Sequence, residues 1–126
     1  MSTSPTSSGA SLDLNLWWKA IESRDAASQI PLYADKAVVT VVNPDHTPRF
    51  PLRFSTRKSI ASWIEDLCGL NMTHRVVDVV DGGDRVSFTE EGRYRDGAQV
   101  WSMSTVQLEH GLITRQRVVL VWDGLD

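Results

Sequence analysis

Hydrophobic positions in this chain follow two periods. Residues 12–21 and 60–67 carry apolar side chains at helical spacing, whereas residues 72–122 read as apolar-rich runs broken at short Gly turns. In the first stretch Leu14, Trp17, Trp18 and Ile21 share one helical face, with Ser11 as a plausible N-cap and Asp13 in the first turn. In the second, Ile60, Trp63, Ile64 and Leu67 repeat at i, i+3, i+4 and i+7, with Ser55 or Thr56 as cap and Gly69 as the stop. Asp25 ends the first helix or opens the next. Pro31 confines the following helical segment to a turn or two, because proline lacks the N–H and clashes one turn back. Residues 36–42 are a β-branched run and predict a strand. Pro44, Pro48 and Pro51 make residues 43–53 loop or edge structure. Asp81-Gly82-Gly83-Asp84, Asp96-Gly97 and His110-Gly111 then separate strands over 72–80, 85–95, 99–109 and 112–122. Helices first and a meander of four antiparallel strands afterwards predict an α+β cone. Its curved antiparallel sheet packs on the N-terminal helices and leaves a concave face that can hold a ligand.

Composition narrows the function. At 126 residues with 41% hydrophobic content, the chain is one domain with a sizeable core, and five tryptophans supply much of it. A net charge of −3 argues against nucleic acid as a partner, and no apolar run approaches membrane-spanning length. Cys68 is the only cysteine, so an internal disulfide and a Cys-rich zinc site are excluded, and a reducing cytoplasm fits. Residues 1–10, rich in Ser, Thr, Pro and Gly, lack the features of a secretory signal and read as a disordered tail, leaving 11–126 as the domain.

Strand alternation selects the candidate site. Val86, Phe88, Glu90, Gly92 and Tyr94 share one face, which is apolar except for Glu90, while Glu91 faces away. A two-residue Asp96-Gly97 turn puts Phe88 opposite Thr105, Glu90 opposite Met103 and Gly92 opposite Trp101. A two-residue His110-Gly111 turn extends that face to Gln116, Val118 and Leu120. A bulge would flip part of it. Glu90, a carboxylate among Phe88, Met103 and Trp101, is the leading acid–base candidate. The same arithmetic across Gly82-Gly83 sets Arg75 opposite Glu90 as an ion-pair partner. An odd-length loop would instead set Val76 there and bring His74 to this face. Trp17, Trp101 and Trp122 are core or pocket wall, and Tyr33 points its hydroxyl into the pocket or anchors packing. Ser102, Ser104 and Thr105 form no nucleophile elbow.

Four phrases carry a family resemblance: Trp18-Lys-Ala-Ile-Glu-Ser-Arg-Asp25, Leu32-Tyr-Ala-Asp-Lys-Ala37, the helix over 57–67, and Gly83-Asp-Arg-Val86. With the closing hairpins they resemble the nuclear transport factor 2-like superfamily and, within it, the SnoaL-like proteins, over residues 12–122. The resemblance implies a cone with a pocket between helices and sheet, with the candidate face on its concave side, and a homodimer through the outer sheet face. The apolar Val76, Val77, Val79 and Val80 fit that dimer. Ketosteroid isomerase residues do not carry over. Its tyrosine falls at Trp17, its catalytic aspartate near Val41 or Asn43, and its second aspartate near Thr105. In hexachlorocyclohexane dehydrochlorinase and scytalone dehydratase a histidine near His74 works with an acidic residue of the first helix, which would be Glu22 here.

Two functions follow as expectations. The first is a cofactor-independent lyase, isomerase or cyclase acting on a small apolar molecule, with Glu90 and His74 as acid–base groups. Trp17, Tyr33, Phe88, Trp101, Met103, Thr105, Gln116 and Trp122 would line its pocket. No cofactor, metal, nucleic acid or membrane is implied. The second is a non-catalytic ligand-binding or dimerisation module.

Overall fold

The computed structural model describes residues 12–123, so Ser11 and the expected tail over 1–10 lie outside the described residues. Helix α1 (Leu14–Glu22) is capped by Asp13, whose side chain accepts the Leu16 N–H at 3.1 Å. It buries Trp17, Ala20 and Ile21. The chain turns through Arg24 in a left-handed conformation, with φ of 58°. Asp25 then opens α2 (Ala26–Gln29) by accepting from the Ser28 hydroxyl and N–H. Those two bonds, the hydroxyl first, hold its carboxyl below the usual aspartate value. Pro31 sits in a 3-10 turn over Ile30–Leu32, where its missing N–H is tolerated. Strand β1 (Tyr33–Val42) follows, then a short edge strand β2 (Leu52–Phe54) at the end of the proline-rich loop. Helix α3 (Arg57–Gly69) starts with a reciprocal Thr56–Ser59 capping box, runs through Gly69 and ends at Leu70. None of the described helices is long and apolar enough to cross a membrane.

Strands β3 (Met72–Asp81), β4 (Arg85–Tyr94), β5 (Gln99–Glu109) and β6 (Leu112–Trp122) form the expected meander. The six-stranded curved sheet has the order β2-β1-β6-β5-β4-β3. It is mixed, because β1 joins β6 in parallel while every other pair is antiparallel. The helices bury their apolar faces against its concave side. Trp17 and Trp18 stack with centroids 4.9 Å apart, and Phe88 meets Trp17 edge-on at 5.2 Å. Each such aromatic contact contributes about 0.5–1.5 kcal/mol beyond area burial.

Turn lengths and bulges decide which residues face that core. His110-Gly111 is the two-residue turn expected, with φ of 52° and 75°. The β4–β5 loop is one residue longer than expected. Tyr94 donates its N–H to the Ala98 carbonyl across Arg95-Asp96-Gly97, with Gly97 at φ of 93°. A three-residue hairpin with Gly in the left-handed position has this geometry. Phe88 therefore lies opposite Ser104, Glu90 opposite Ser102 and Gly92 opposite Val100. Trp101, Met103 and Thr105, expected to face inward, lie on the exposed outer face. A bulge between Gln107 and Leu108 shifts β6 by one more residue, so Gln116 faces inward after all. On β3 the tight loop is Gly83-Asp84, and an irregularity at Asp78, with φ of 54°, gives a net odd shift. Arg75 pairs with Glu91, not Glu90. Val76 stands opposite Glu90, and His74 shares the Glu90 face.

Tyr33 ties β1 to β6. It is buried and donates its hydroxyl to Gln116 Oε1, and Gln116 Nε2 donates to Ser104 Oγ at 3.3 Å. Burial, and secondarily the Glu90 carboxylate, push the phenol well above its ordinary value of 10.0, so it stays a donor. Tyr33→Phe leaves a buried carbonyl oxygen without its donor and is expected to destabilise by about 1–3 kcal/mol in denaturant melts. The folded value exceeds the unfolded one, so the Tyr33 contribution is complete below pH 10 and fades as pH rises beyond it. The gap between wild type and Tyr33→Phe should therefore narrow above about pH 10. A melt unchanged by the substitution at pH 7 contradicts the bridge.

Candidate functional site: a half-buried His–Glu pair in an apolar cavity

A cavity of about 350 Å³ lies between the helices and the concave face of the sheet. Trp17, Ile21, Trp63, Ile64 and Leu67 form its helical wall, and Phe88, Val41 and Val118 lie on its sheet floor. Cavities of this size hold small molecules when a few polar groups are placed on an apolar lining.

The polar groups come from alternate positions on neighbouring strands. His74 Nδ1 lies 2.9 Å from Glu90 Oε1, with the two side chains 9% and 24% exposed. His74 stands opposite Gly92 and Glu90 opposite Val76, so the two are diagonal neighbours on one face. Gly92, opposite His74, lets the Met72 methyl pack against its backbone. A Cβ there would come within 2.3 Å of the Met72 methyl and 3.3 Å of the Val100 carbonyl. With the Nδ1 proton assigned to the bond with Glu90, Nε2 carries a lone pair.

Glu22 is not the partner of His74. Its carboxylate accepts the Val76 N–H at 2.8 Å and so covers an amide of the edge strand β3. Of the residues expected to line the pocket, Trp17, Tyr33, Phe88 and Gln116 border the cavity from buried positions. Trp122 borders it from a position 36% exposed at the end of β6. Trp101, Met103 and Thr105 do not, because the three-residue β4–β5 loop turns them outward.

In their place β5 presents Ser102 and Ser104, both buried and both bordering the cavity. Reading Gly97 as the third residue of its loop, rather than the second of a two-residue turn, would have found them. Gln29 and Cys68 also border the cavity. Gln29 Nε2 donates to the Ala20 carbonyl and to Cys68 Sγ, and burial pushes the Cys68 thiol up. The thiol is thus a neutral wall group. The described lining contains no Lys or Arg. Among the described residues no three His, Cys, Asp or Glu side chains come together as metal ligands.

Residues 15–116 match the SnoaL-like domain family. A nuclear transport factor 2-like protein of unknown function from Mesorhizobium loti shares the fold, with a TM-score of 0.74 and 15% identity over 88% of each chain. A proposed polyketide cyclase from Sinorhizobium meliloti gives 0.61 and 17% identity over 83% of this chain and 91% of its own. A proposed ketosteroid isomerase from Kribbella flavida gives 0.65 and 12% identity over 90% of this chain and 76% of its own. At these identities the likeness is one of fold. No sequence among curated proteins matches the chain. Four-fifths of the chain lies within the family match, and the architecture agrees with it: this protein belongs to the SnoaL-like domain family and has the nuclear transport factor 2-like fold.

Proposed function

We propose that this protein catalyses cofactor-independent proton transfer on a small, mostly apolar carbonyl compound, with His74 as the base and Glu90 as the group that orients it. The observation that carries the reading is the 2.9 Å His74–Glu90 contact on the floor of an apolar cavity. His74 Nε2 removes a proton from carbon next to the carbonyl. The C–H electron pair becomes the enolate double bond, and the carbonyl π pair moves to oxygen. Glu90 holds the Nδ1 proton and stabilises the imidazolium that forms. In a β,γ-unsaturated substrate the enolate pair extends over that double bond, and the imidazolium returns its proton to the γ-carbon as the carbonyl reforms and the double bond moves into conjugation. In a β-hydroxy substrate the carbonyl reforms instead, the enolate pair becomes the Cα–Cβ double bond as the Cβ–O bond breaks, and the imidazolium protonates the departing oxygen, which leaves as water. The polyketide cyclase and ketosteroid isomerase names of two fold neighbours support chemistry at carbon next to carbonyl.

One observation favours the second reading, a pocket that binds without turnover. The described lining offers no cation to meet the developing negative charge. Deuterium exchange separates the two. One- and two-ring ketones in D₂O, followed by proton NMR, should lose α-protons faster with wild-type protein than in buffer. His74→Asn should lose about 10²–10⁴-fold of that acceleration. Glu90→Gln should lower the rate while ketone binding persists, and Glu91→Gln should leave it unchanged. Exchange at the buffer rate, or a His74→Asn protein as fast as wild type, rejects catalysis by this pair.

We also propose a homodimer through the outer sheet face. Trp101 opposes Val121 and Met103 opposes Val119 across β5 and β6, with exposures of 49%, 58%, 64% and 48%. Four adjoining apolar side chains on the outer face exceed what scattered surface residues produce. Sedimentation at micromolar concentration should give a dimer for wild type and a folded monomer for Met103→Glu. A monomeric wild-type protein overturns the assignment.

A further inference from the structure

We infer that Ser102, with Ser104 beside it, forms an oxygen-binding strip, and that the ligand is a neutral one- or two-ring molecule with a carbonyl or hydroxyl oxygen at the His74–Glu90 end. The inference rests on the proposed reading of the cavity as a small-molecule site and names what that site selects.

Ser102 lies directly opposite Glu90 on the neighbouring strand, and Ser104 directly opposite Phe88. The two residues are only 8% and 4% exposed, and both border the cavity. Among the described residues the Ser102 hydroxyl makes no hydrogen bond. Ser104 accepts from Gln116 Nε2, and its own proton goes to no described group. Two hydroxyl protons therefore stand uncommitted at i and i+2 of one strand, about 6.7 Å apart along it.

Of the other polar groups on the cavity wall, two are engaged, while the buried Trp17 Nε1–H on the helical wall has no partner among the described residues. The Tyr33 hydroxyl is given to Gln116, and Gln29 Nε2 to the Ala20 carbonyl and Cys68. Tyr94 is half-buried at the end of β4 beside His74, opposite Met72. On the sheet floor Ser102 is thus an uncommitted hydroxyl directly opposite Glu90, and it would meet an oxygen on the carbon skeleton that His74 faces.

Filling the cavity with a hydrocarbon would strip water from Ser102 and return nothing. A site holding a buried polar group discriminates strongly against a ligand that leaves it unpaired. A hydroxyl rotates to donate to a carbonyl or accept from an alcohol, so both oxygens fit. A carboxylate or phosphate does not, because among the described residues no Lys or Arg borders the cavity to pair with it.

The test compares 2-tetralone with tetralin, which has the same skeleton without the oxygen, by ligand-observed NMR titration of the full chain. Wild type is expected to bind the ketone about tenfold more tightly than the hydrocarbon, the size of one net hydrogen bond in a dry site. Ser102→Ala should bring the ratio to within about twofold of unity by weakening the ketone alone, and Ser102→Thr should restore it. A structural role for Ser102 would shift the melting temperature without moving the ratio. His74→Asn should keep the ratio, so a failure of proton transfer shows as lost deuterium exchange with selectivity intact. Equal affinities in wild type, a Ser102→Ala loss shared by both ligands, or binding of neither overturns the inference.

Discussion

In a β-sheet a one-residue slip sends every later side chain to the opposite face. The site of this protein depends on that parity. Three single-residue shifts act along the meander: the irregularity at Asp78 in β3, the third residue of the Arg95–Gly97 loop, and the bulge between Gln107 and Leu108. The first brings His74 to the face of Glu90. The second turns two serines inward and Trp101 and Met103 outward. The third keeps Gln116 within reach of Tyr33. Bulges also increase local twist, and a sheet that wraps around helices needs that twist.

The same parity separates the two chemistries of the sheet. The concave side is an apolar floor crossed by a diagonal of polar groups, from His74 through Glu90, Ser102 and Ser104 to Gln116 and Tyr33. Part of that diagonal is internally satisfied and acts as scaffold. Tyr33, Gln116 and Ser104 hold β1, β6 and β5 together through one chain of hydrogen bonds. The end with unsatisfied capacity is where His74 and Ser102 stand. The convex side, in contrast, carries the large apolar residues of β5 and β6 at high exposure.

Much of this was legible in the sequence. Apolar spacing placed α1 and α3, the Gly turns placed the meander, and alternation on β4 alone set Phe88 and Glu90 on one face. Those inferences use contacts within a single element, where period and face are local properties. What failed crossed a turn. Asp96-Gly97 reads equally as a two-residue turn or as the end of a three-residue loop, and that ambiguity misplaced Trp101, Met103 and Thr105. Gln116 was assigned inward through two shifts that cancel. The sequence leaves two registers open, Arg75 opposite Glu90 or, after an odd shift, Val76 there with His74 on the same face, and the structure has the second. The pairing of His74 with Glu90 depends on Asp78 adopting a left-handed conformation in mid-strand, for which the sequence carries little signal beyond the tolerance of Asp for φ > 0.

If Glu90 fixes the His74 ring, Nε2 is the free base in the cavity. Long-range ¹H–¹⁵N correlation of the histidine rings, at a pH where the imidazoles are neutral, reads this directly. A single Nδ1–H tautomer is expected for His74 in wild type, with loss of that preference in Glu90→Gln. A dominant Nε2–H tautomer at His74, or the same spectrum with and without the Glu90 carboxylate, would contradict it.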